Sequence, residues 1–429
     1  MLIISPFISI VIPTRDRPEF VRYSLYYLAQ QSFKNFEVIV ADNFINASCK
    51  NEFEAYKNDK RFHYFQPETP LPMADNWEFA VSKANGQYVT VISEKYLFRS
   101  DALEVLHAIL LDKPADLVSW WNETVTVTKS GEAKLLGKYI PKFKPRKATY
   151  FSPIEVLSKR FSFNKTPYSR NLGPKECLGK IYSGCFSRNL LDKMKVSYGR
   201  IFQPLMPDIT SMTAALSLLP RCLDLGQPLM LVCASPEISN GFQAVTNTKK
   251  FKDFFSDYNL LKFQQNKLPL EGIGVALNNF IAHDFLYFQK LSDNNEFKKL
   301  SINTSNLLVR VKEDIDRIEY WDSEEEKSAT YTAWQVLVDK CSKKKQKYIY
   351  YKLKKNDSAQ PSLDEISFAG GQDIGTYIGY VSAKERAEIN WLKHQVFRIQ
   401  GEYLNYNLLE DAMNYYAEYY QESAKLLKI

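Results

Sequence analysis

This 429-residue sequence is short of several things that would assign it quickly. No uninterrupted apolar run approaches the roughly 18 residues that a membrane-spanning helix needs, which excludes a helical membrane bundle. The opening MLIISPFISIVIP is apolar but has no basic leader region or small-residue cleavage site, and it carries two prolines, so it is expected to be a first core strand rather than a signal peptide. Six cysteines (Cys49, Cys177, Cys185, Cys222, Cys233, Cys341) form no CxxC pair. Four lie in or beside apolar runs, which predicts buried free thiols in a reducing cytosol. Four histidines (His63, His107, His283, His394) stand alone, without metal-ligand spacing. There is no GxxxxGK loop, no GxGxxG after a strand and no GxSxG turn, which argues against P-loop, dinucleotide and serine-hydrolase chemistry. No internal repeat is present.

Ordinary hydrophobic and charged fractions point to a globular protein with a large core. Tyrosine and phenylalanine are abundant, at 27 each, which suits aromatic-lined grooves and aromatic-rich packing alike. The net charge of +7 is concentrated in Lys340 to Lys355 (KCSKKKQKYIYYKLKK), after the acidic run Asp322-Ser323-Glu324-Glu325-Glu326. A basic, tyrosine-rich stretch suits an anionic membrane surface, a polyanionic glycan, or simply a solvated helix face or loop. The charge is local rather than a stripe across a face, so no nucleic acid partner is expected.

Strands and helices alternate through the first half, which predicts an α/β fold with a mostly parallel sheet covered on both faces. Ser9–Ile12 is a strand ending at Pro13-Thr14, and Asp16 is placed to cap a helix running to about Gln31. Phe36–Ala41 is a second strand ending at Asp42-Asn43. A weak helix from Ser48 to about Asn58 and a short strand, Phe62–Phe65, follow. In MADNWEFAVSKANGQYVTVISEKYL, Trp77, Ala80, Val81 and Ala84 recur at helical spacing, and Asn85-Gly86 is a stop signal. Tyr88–Ile92 then reads as a buried strand that delivers Ser93-Glu94-Lys95-Tyr96. Further strands are expected at Asp116–Trp121, Lys180–Phe186 and Leu229–Ala234, with a hairpin joining Thr124–Val127 to Ala133–Leu136. Residues 139–178 look like a long connection. After about residue 247 the pattern turns helical: Phe251–Phe263, Val275–Leu291, Phe297–Leu308, Thr330–Cys341 and Ala383–Leu427. The expected division is 1–247 for the α/β domain and 248–429 for the helical region, with a smaller break at 322–327.

Three strand ends deliver polar residues to one edge: Pro13-Thr14-Arg15, Asp42-Asn43 and Ser93-Glu94-Lys95-Tyr96. In open α/β sheets that edge binds ligands, and an acid after the second strand suits the hydroxyls and N–H groups of a nucleoside. Strand-end Asp-Asn is also ordinary turn chemistry. Ser235, Ser239 and Asn240, at another strand end, are explained by turns.

The stretch SIVIPTRDRPEFVRYSLYYLAQQSFKNFEVIVADN resembles the opening of family 2 glycosyltransferases, inverting enzymes with a GT-A nucleotide-sugar fold. MADNWEFAVSKANGQYVTVISEKYL is similar to their next block, and GRIFQPLMPDITSMTAALSLL with PLMLVCASPEISNG to the acceptor half of a subgroup. The resemblance covers about residues 6–245. It implies that Pro13, Thr14 and Arg15 border the nucleotide, that Asp42 and Asn43 contact its base or ribose, and that Asn76 lies near ribose or diphosphate. It also implies Asp208 as the base that deprotonates the acceptor; as a residue before Ile209, Asp208 is equally placed to be a helix N-cap.

Where the family has a run of aspartates, this chain has Ser93-Glu94-Lys95-Tyr96. A bridging Mg²⁺ or Mn²⁺ wants hard oxygen ligands, and Glu94 is the one candidate left. If strand alternation continues, Glu94 and Tyr96 share a face; shifted by one residue, Lys95 would face the phosphates in the metal's place. The resulting expectation is a cytoplasmic enzyme, peripheral at most to the inner face of the cell membrane. It would move a sugar from a nucleotide-sugar donor to a glycan or lipid-linked glycan acceptor in surface polysaccharide biosynthesis, with the C-terminal helices meeting the membrane or a second copy. The alternative is a degenerate relative that binds nucleotide or glycan, or scaffolds an active partner, without catalysis.

Overall fold

The structure, a computed structural model, describes residues 5–129, 135–139, 145–164, 178–203, 206–234, 240–256, 268–357 and 409–427. One mixed sheet organises them: β1 (Ile8–Thr14), β2 (Phe36–Asp42), β3 (Phe62–Phe65), β4 (Tyr88–Val91), β5 (Tyr96–Phe98), β6 (Leu117–Lys129), β7 (Leu135–Tyr139), β8 (Thr149–Phe151), β9 (Gly184–Ser187) and β10 (Cys222–Ala234). The strand order is β3-β2-β1-β4-β9-β6-β10-β5, with β7 on β6 and β8 on β10. The β3-β2-β1-β4 half is parallel. β9 runs antiparallel between β4 and β6, and β10 lies parallel to β6.

Every residue of β1 and β2 is buried, because helices cover both faces; such strands read as unbroken apolar runs. Alternation assigns Ile10 and Ile12 to one face and Val11 to the other. The first face packs on helices Pro18–Ala29 and Ala102–Asp112 through Val21, Leu25, Leu103 and Leu106. The second packs on Met73–Ser82 and Pro207–Leu218 through Trp77, Val81, Ile209 and Met212. Beyond residue 247 come helices Thr248–Ser256, Leu277–Leu291, Thr304–Asp316, Glu324–Asp339 and Lys343–Asp357. Their Phe280, Phe285, Leu308, Trp334 and Ile349 belong to the same core cluster as Val11 and Val91. Residue 247 therefore marks a change of element type, not a break in the core. Helix Leu409–Leu427 returns to the sheet, setting Met413, Tyr416 and Tyr420 on Leu97, Val125 and Leu231.

Several expectations need correction. Asp16 does not cap the first helix: the cap position is Arg17, with no side-chain bond. Asp16 instead adopts a left-handed φ of 55°, and its Oδ1 accepts from the N–H groups of Ile45, Asn46 and Ala47 at 2.8–2.9 Å. It pins the loop after β2 rather than a helix. The helix Met73–Ser82 stops before Asn85-Gly86. Residues 48–58 hold two short turns of helix, Lys50–Phe53 and Glu54–Tyr56. Within 139–178, β8 and helix Pro153–Phe161 are regular, the helix capped by Ser152 and burying Arg160; 165–177 lie outside the described residues. The expected helix at 297–308 is two, Asn295–Lys298 and Thr304–Asp316, because Asn294 and Asn303 each cap a new start. The acidic run at 322–327 is the first turn of helix Glu324–Asp339, capped by Ser323, where the helix dipole favours carboxylates. Of the stretch 383–427 only the part from 409 is described, and Ser235 and Ser239 lie outside the described residues.

Candidate functional site

Parallel pairing brings the carboxyl ends of β1, β2 and β4 to one edge, with Thr14 opposite Asp42. Pro13 is buried inside β1 opposite Ala41, so Thr14 and Arg15 are the residues that reach the edge. A short turn, Ile181–Ser183, enters the same edge before β9. Thr90 Oγ1 holds it by donating to the carbonyls of Ile181 (3.1 Å) and Gly184 (2.7 Å). Gly184 permits this close seat: a Cβ there would fall 2.3 Å from the Val118 carbonyl oxygen. Asn122 on β6 completes the brace, donating to Ser183 Oγ at 2.7 Å.

Asp42 points into the fold with no exposed surface. Its Oδ2 accepts from Ser48 Oγ (2.8 Å), Tyr64 Oη (2.8 Å) and the Cys49 N–H (2.9 Å). Burial, together with this carboxylate, pushes the Tyr64 phenol up, so it stays protonated and donates. Asn43 commits its amide to one residue: Nδ2 donates to the Leu71 carbonyl and Oδ1 accepts the Leu71 N–H, both at 2.7 Å. Arg15 donates to the carbonyl oxygens of Leu71 and Asn43. Arg15 and Asn43 therefore clamp the proline-rich loop beside the edge. Asn76 is buried in the first turn of helix Met73–Ser82. Three buried side-chain oxygens at this edge have no hydrogen-bond partner: Thr14 Oγ1, Asp42 Oδ1 and Asn76 Oδ1.

The Ser93–Tyr96 stretch is a turn, closed by the Tyr96 N–H on the Ser93 carbonyl at 3.0 Å. Strand alternation therefore does not run through it, and neither register expected from the sequence applies. Glu94 is buried; its Oε1 lies 3.4 Å from Arg17 Nη1 and its Oε2 accepts from Ser93 Oγ at 3.1 Å. Lys95 is half-buried, with its carbonyl held by the Cys233 N–H at 3.0 Å. Tyr96 turns inward and stacks on Tyr182 (centroids 5.4 Å apart, 25°), which Trp77 meets edge-on at 4.9 Å. Glu94 is the one carboxylate of this turn, and its ion pair with Arg17 competes with any divalent cation, which would take its remaining oxygens from phosphates and water. Among the described residues no three His, Cys, Asp or Glu side chains gather to hold one.

Asp208 is the second residue of helix Pro207–Leu218; Met206 holds the cap position, so Asp208 is not the N-cap. Its Oδ2 lies 3.6 Å from Lys180 Nζ, with the carboxylate 26% exposed and the lysine 7%. Helix Met73–Ser82 positions the approach to it. Asp75 Oδ1 accepts from Arg200 at 2.6 Å, and Glu78 Oε1 accepts the N–H groups of Ile201 and Phe202 at 2.7 Å. The helix that carries Asn76 thus also anchors the loop leading to Asp208. Arg17, Tyr64, Glu78, Lys180 and Tyr182 were not singled out from sequence; each gains its place from a tertiary partner and has no local motif.

The sheet order, its covered faces and the polar edge define a mixed α/β domain with its polar residues gathered at the carboxyl ends of the parallel strands. Residues 9–168 match the family model described as glycosyl transferase family 2, which makes that segment of the chain a family 2 glycosyltransferase domain. The chain is similar to glycosyltransferase GlyG of Streptococcus pneumoniae serotype 4, 23% identical over 115 residues, which are 27% of this chain and 38% of that protein. It is also similar to an uncharacterized glycosyltransferase of Rickettsia bellii, 28% identical over 98 residues, 23% of this chain and 14% of that one. The matches thus span well under half the length of these relatives. Among solved structures, S. aureus TarS 1–349 in complex with UDP-GlcNAc is 15% identical, covers 83% of this chain and 93% of its own, and superposes with a TM-score of 0.44. Mannosyltransferase PcManGT from Pyrobaculum calidifontis, in complex with GDP-Man and Mn²⁺, gives 12%, 84%, 89% and 0.39. No helix among the described residues is long and apolar enough to cross a membrane.

Proposed function

We propose that this chain is an inverting glycosyltransferase that moves a sugar from a nucleotide donor to a glycan or lipid-linked glycan acceptor. The observation that carries the proposal is the set of three unpartnered buried acceptors, Thr14 Oγ1, Asp42 Oδ1 and Asn76 Oδ1, at the carboxyl edge of a family 2 domain. Buried acceptors without donors are costly, and a nucleoside supplies donors of the right kind, ring N–H and ribose O–H. The loop clamped by Arg15 and Asn43 shifts to admit it. Arg15, Arg17 and Lys95 are cations of this edge, and they rather than a metal meet the diphosphate charge. At the other side Asp208 takes the proton from the acceptor hydroxyl. The acceptor oxygen bonds to the anomeric carbon as the bond to the nucleoside diphosphate breaks, and a single displacement inverts that centre.

One observation favours a second reading, a non-catalytic relative that scaffolds a partner: Asp42 and Glu94 are only 0% and 5% exposed. Calorimetric titration with UDP, GDP, CMP and dTDP, with Mn²⁺ and with a chelator, separates the readings. The expected result is binding of one nucleotide that the chelator leaves unchanged. Binding that needs Mn²⁺ would overturn the role given to the cations, and binding of none would favour the scaffold.

A further inference from the structure

We propose that helix Lys343–Asp357 is a docking surface for an anionic lipid bilayer. This goes beyond the transferase reading and does not rest on it. From Lys340 to Asn356 the sequence has no acidic residue. The helix turns one side inward: Ile349 is fully buried in the core, Leu353 packs against it, and Gln346 donates to the carbonyls of Asp339 and Cys341. At 100° per residue the opposite side carries Lys343, Lys347, Tyr351 and Lys354 in one stripe, with Lys344 beside it. All five are exposed, and Tyr351 most of the tyrosines here, at 61%. Among the described residues no carboxylate pairs with Lys343, Lys344 or Lys347.

The placement of the charge is the second observation. Lys343, Lys344 and Lys345 occupy the first turn of the helix, which holds no acid. That is the positive end of the helix dipole, where lysine is disfavoured and Asp or Glu would stabilise. A local rule broken three times in one turn, where among the described residues Lys343 reaches only the neutral Gln346 Oε1 at 3.4 Å and no carboxylate offsets the charge, points to an external anion. The exposed tyrosine within the lysine stripe selects the kind of anion. A phenol ring gains from the boundary between headgroups and acyl chains, whereas a dissolved polyanion offers it nothing apolar. Lysines near an anionic leaflet contribute roughly fivefold in affinity each.

The test uses the full chain and sedimentation with vesicles of phosphatidylcholine alone or with ~30% phosphatidylglycerol, with dextran sulfate as a soluble polyanion. Binding is expected to the anionic vesicles only, and to weaken as salt shortens the screening length. The combined Lys343→Gln, Lys344→Gln, Lys347→Gln variant should lose on the order of a hundredfold in vesicle affinity. Its thermal midpoint should not fall, since these side chains touch no core and lysine is disfavoured at the positive end of the helix dipole. Tyr351→Ser should weaken vesicle binding and leave dextran sulfate binding alone. Equal affinity for neutral vesicles, no binding to anionic ones, or a triple variant that binds as well as the parent would overturn the proposal. So would a Tyr351→Ser variant that is indifferent on vesicles while dextran sulfate binds as tightly, since the surface would then serve a soluble polyanion.

Discussion

Two aspartates at opposite sides of the proposed site are held in contrary ways. Asp42, at the end of β2, is sealed, and one of its oxygens takes three hydrogen bonds from fixed donors. Asp208, at the start of helix Pro207–Leu218, is partly exposed and faces Lys180 at 3.6 Å, too far for a hydrogen bond. A carboxylate sealed from solvent and fixed by three donors on one oxygen shapes its surroundings and is poorly placed to collect a proton from an acceptor. One that is partly exposed and, beyond a lysine at ion-pair distance, holds no hydrogen bond among the described residues can do so. The proposed division, recognition for the first and chemistry for the second, rests on this difference, and removing each side chain should have distinct consequences.

The largest effect is expected at the open carboxylate. Asp208→Asn should lower the transfer rate by about 10² to 10⁴, while the free energy of unfolding moves by less than about 1 kcal/mol. A loss under tenfold in the rate, measured with saturating donor, would end the distinction. Asp42→Ala should behave in the opposite sense. It strands the Ser48 and Tyr64 hydroxyls and the Cys49 N–H, which costs about 3 kcal/mol in urea unfolding. Asp42→Asn keeps an acceptor in place and should cost about 1 kcal/mol. Equal unfolding curves for parent and Asp42→Ala would mean that the three bonds do not organise the edge.

The same contrast explains how much of the molecule is legible in sequence. β1, β2 and β4 are visible because each is an apolar run cut off by polar residues at its carboxyl end, and the edge they build follows from parallel order. β10 is longer than its legible part, Leu229–Ala234. The Gly226-Gln227-Pro228 stretch looks like a turn but is a bulge, where the register on β6 shifts. Gly226 has φ of 75° there, and a Cβ would meet the Arg146 carbonyl oxygen at 2.4 Å. Pairings such as Arg17 with Glu94, Tyr64 with Asp42, Lys180 with Asp208 and Tyr182 with Tyr96 join separate elements, so no spacing rule announces them. The farthest case is Tyr420, which donates to Glu123 across 297 positions. Its helix is legible, but the surface it covers is set by the sheet.

The smallest expected effect lies between the two aspartates in character. Asp16 is partly exposed like Asp208, yet its carboxylate is committed like that of Asp42. Burial pulls its pKa up, but the N–H groups of Ala47, Asn46 and Ile45 outweigh that and hold the carboxyl below its ordinary value of 3.8. A carboxyl lowered by folding stabilises the native state while it is ionised. That contribution is fully present above the unfolded value and is lost as pH falls through the lower, folded one. Asp16→Ala should therefore cost about 1 kcal/mol near neutral pH, a figure reduced by solvent screening. The gap between parent and variant should narrow as pH drops below 3.8. Unfolding titrations of both proteins from neutral to acidic pH check this. A gap that stays constant across the range would mean that Asp16 holds the 45–47 loop by shape alone, and that charge at this edge belongs to Asp42 and Glu94.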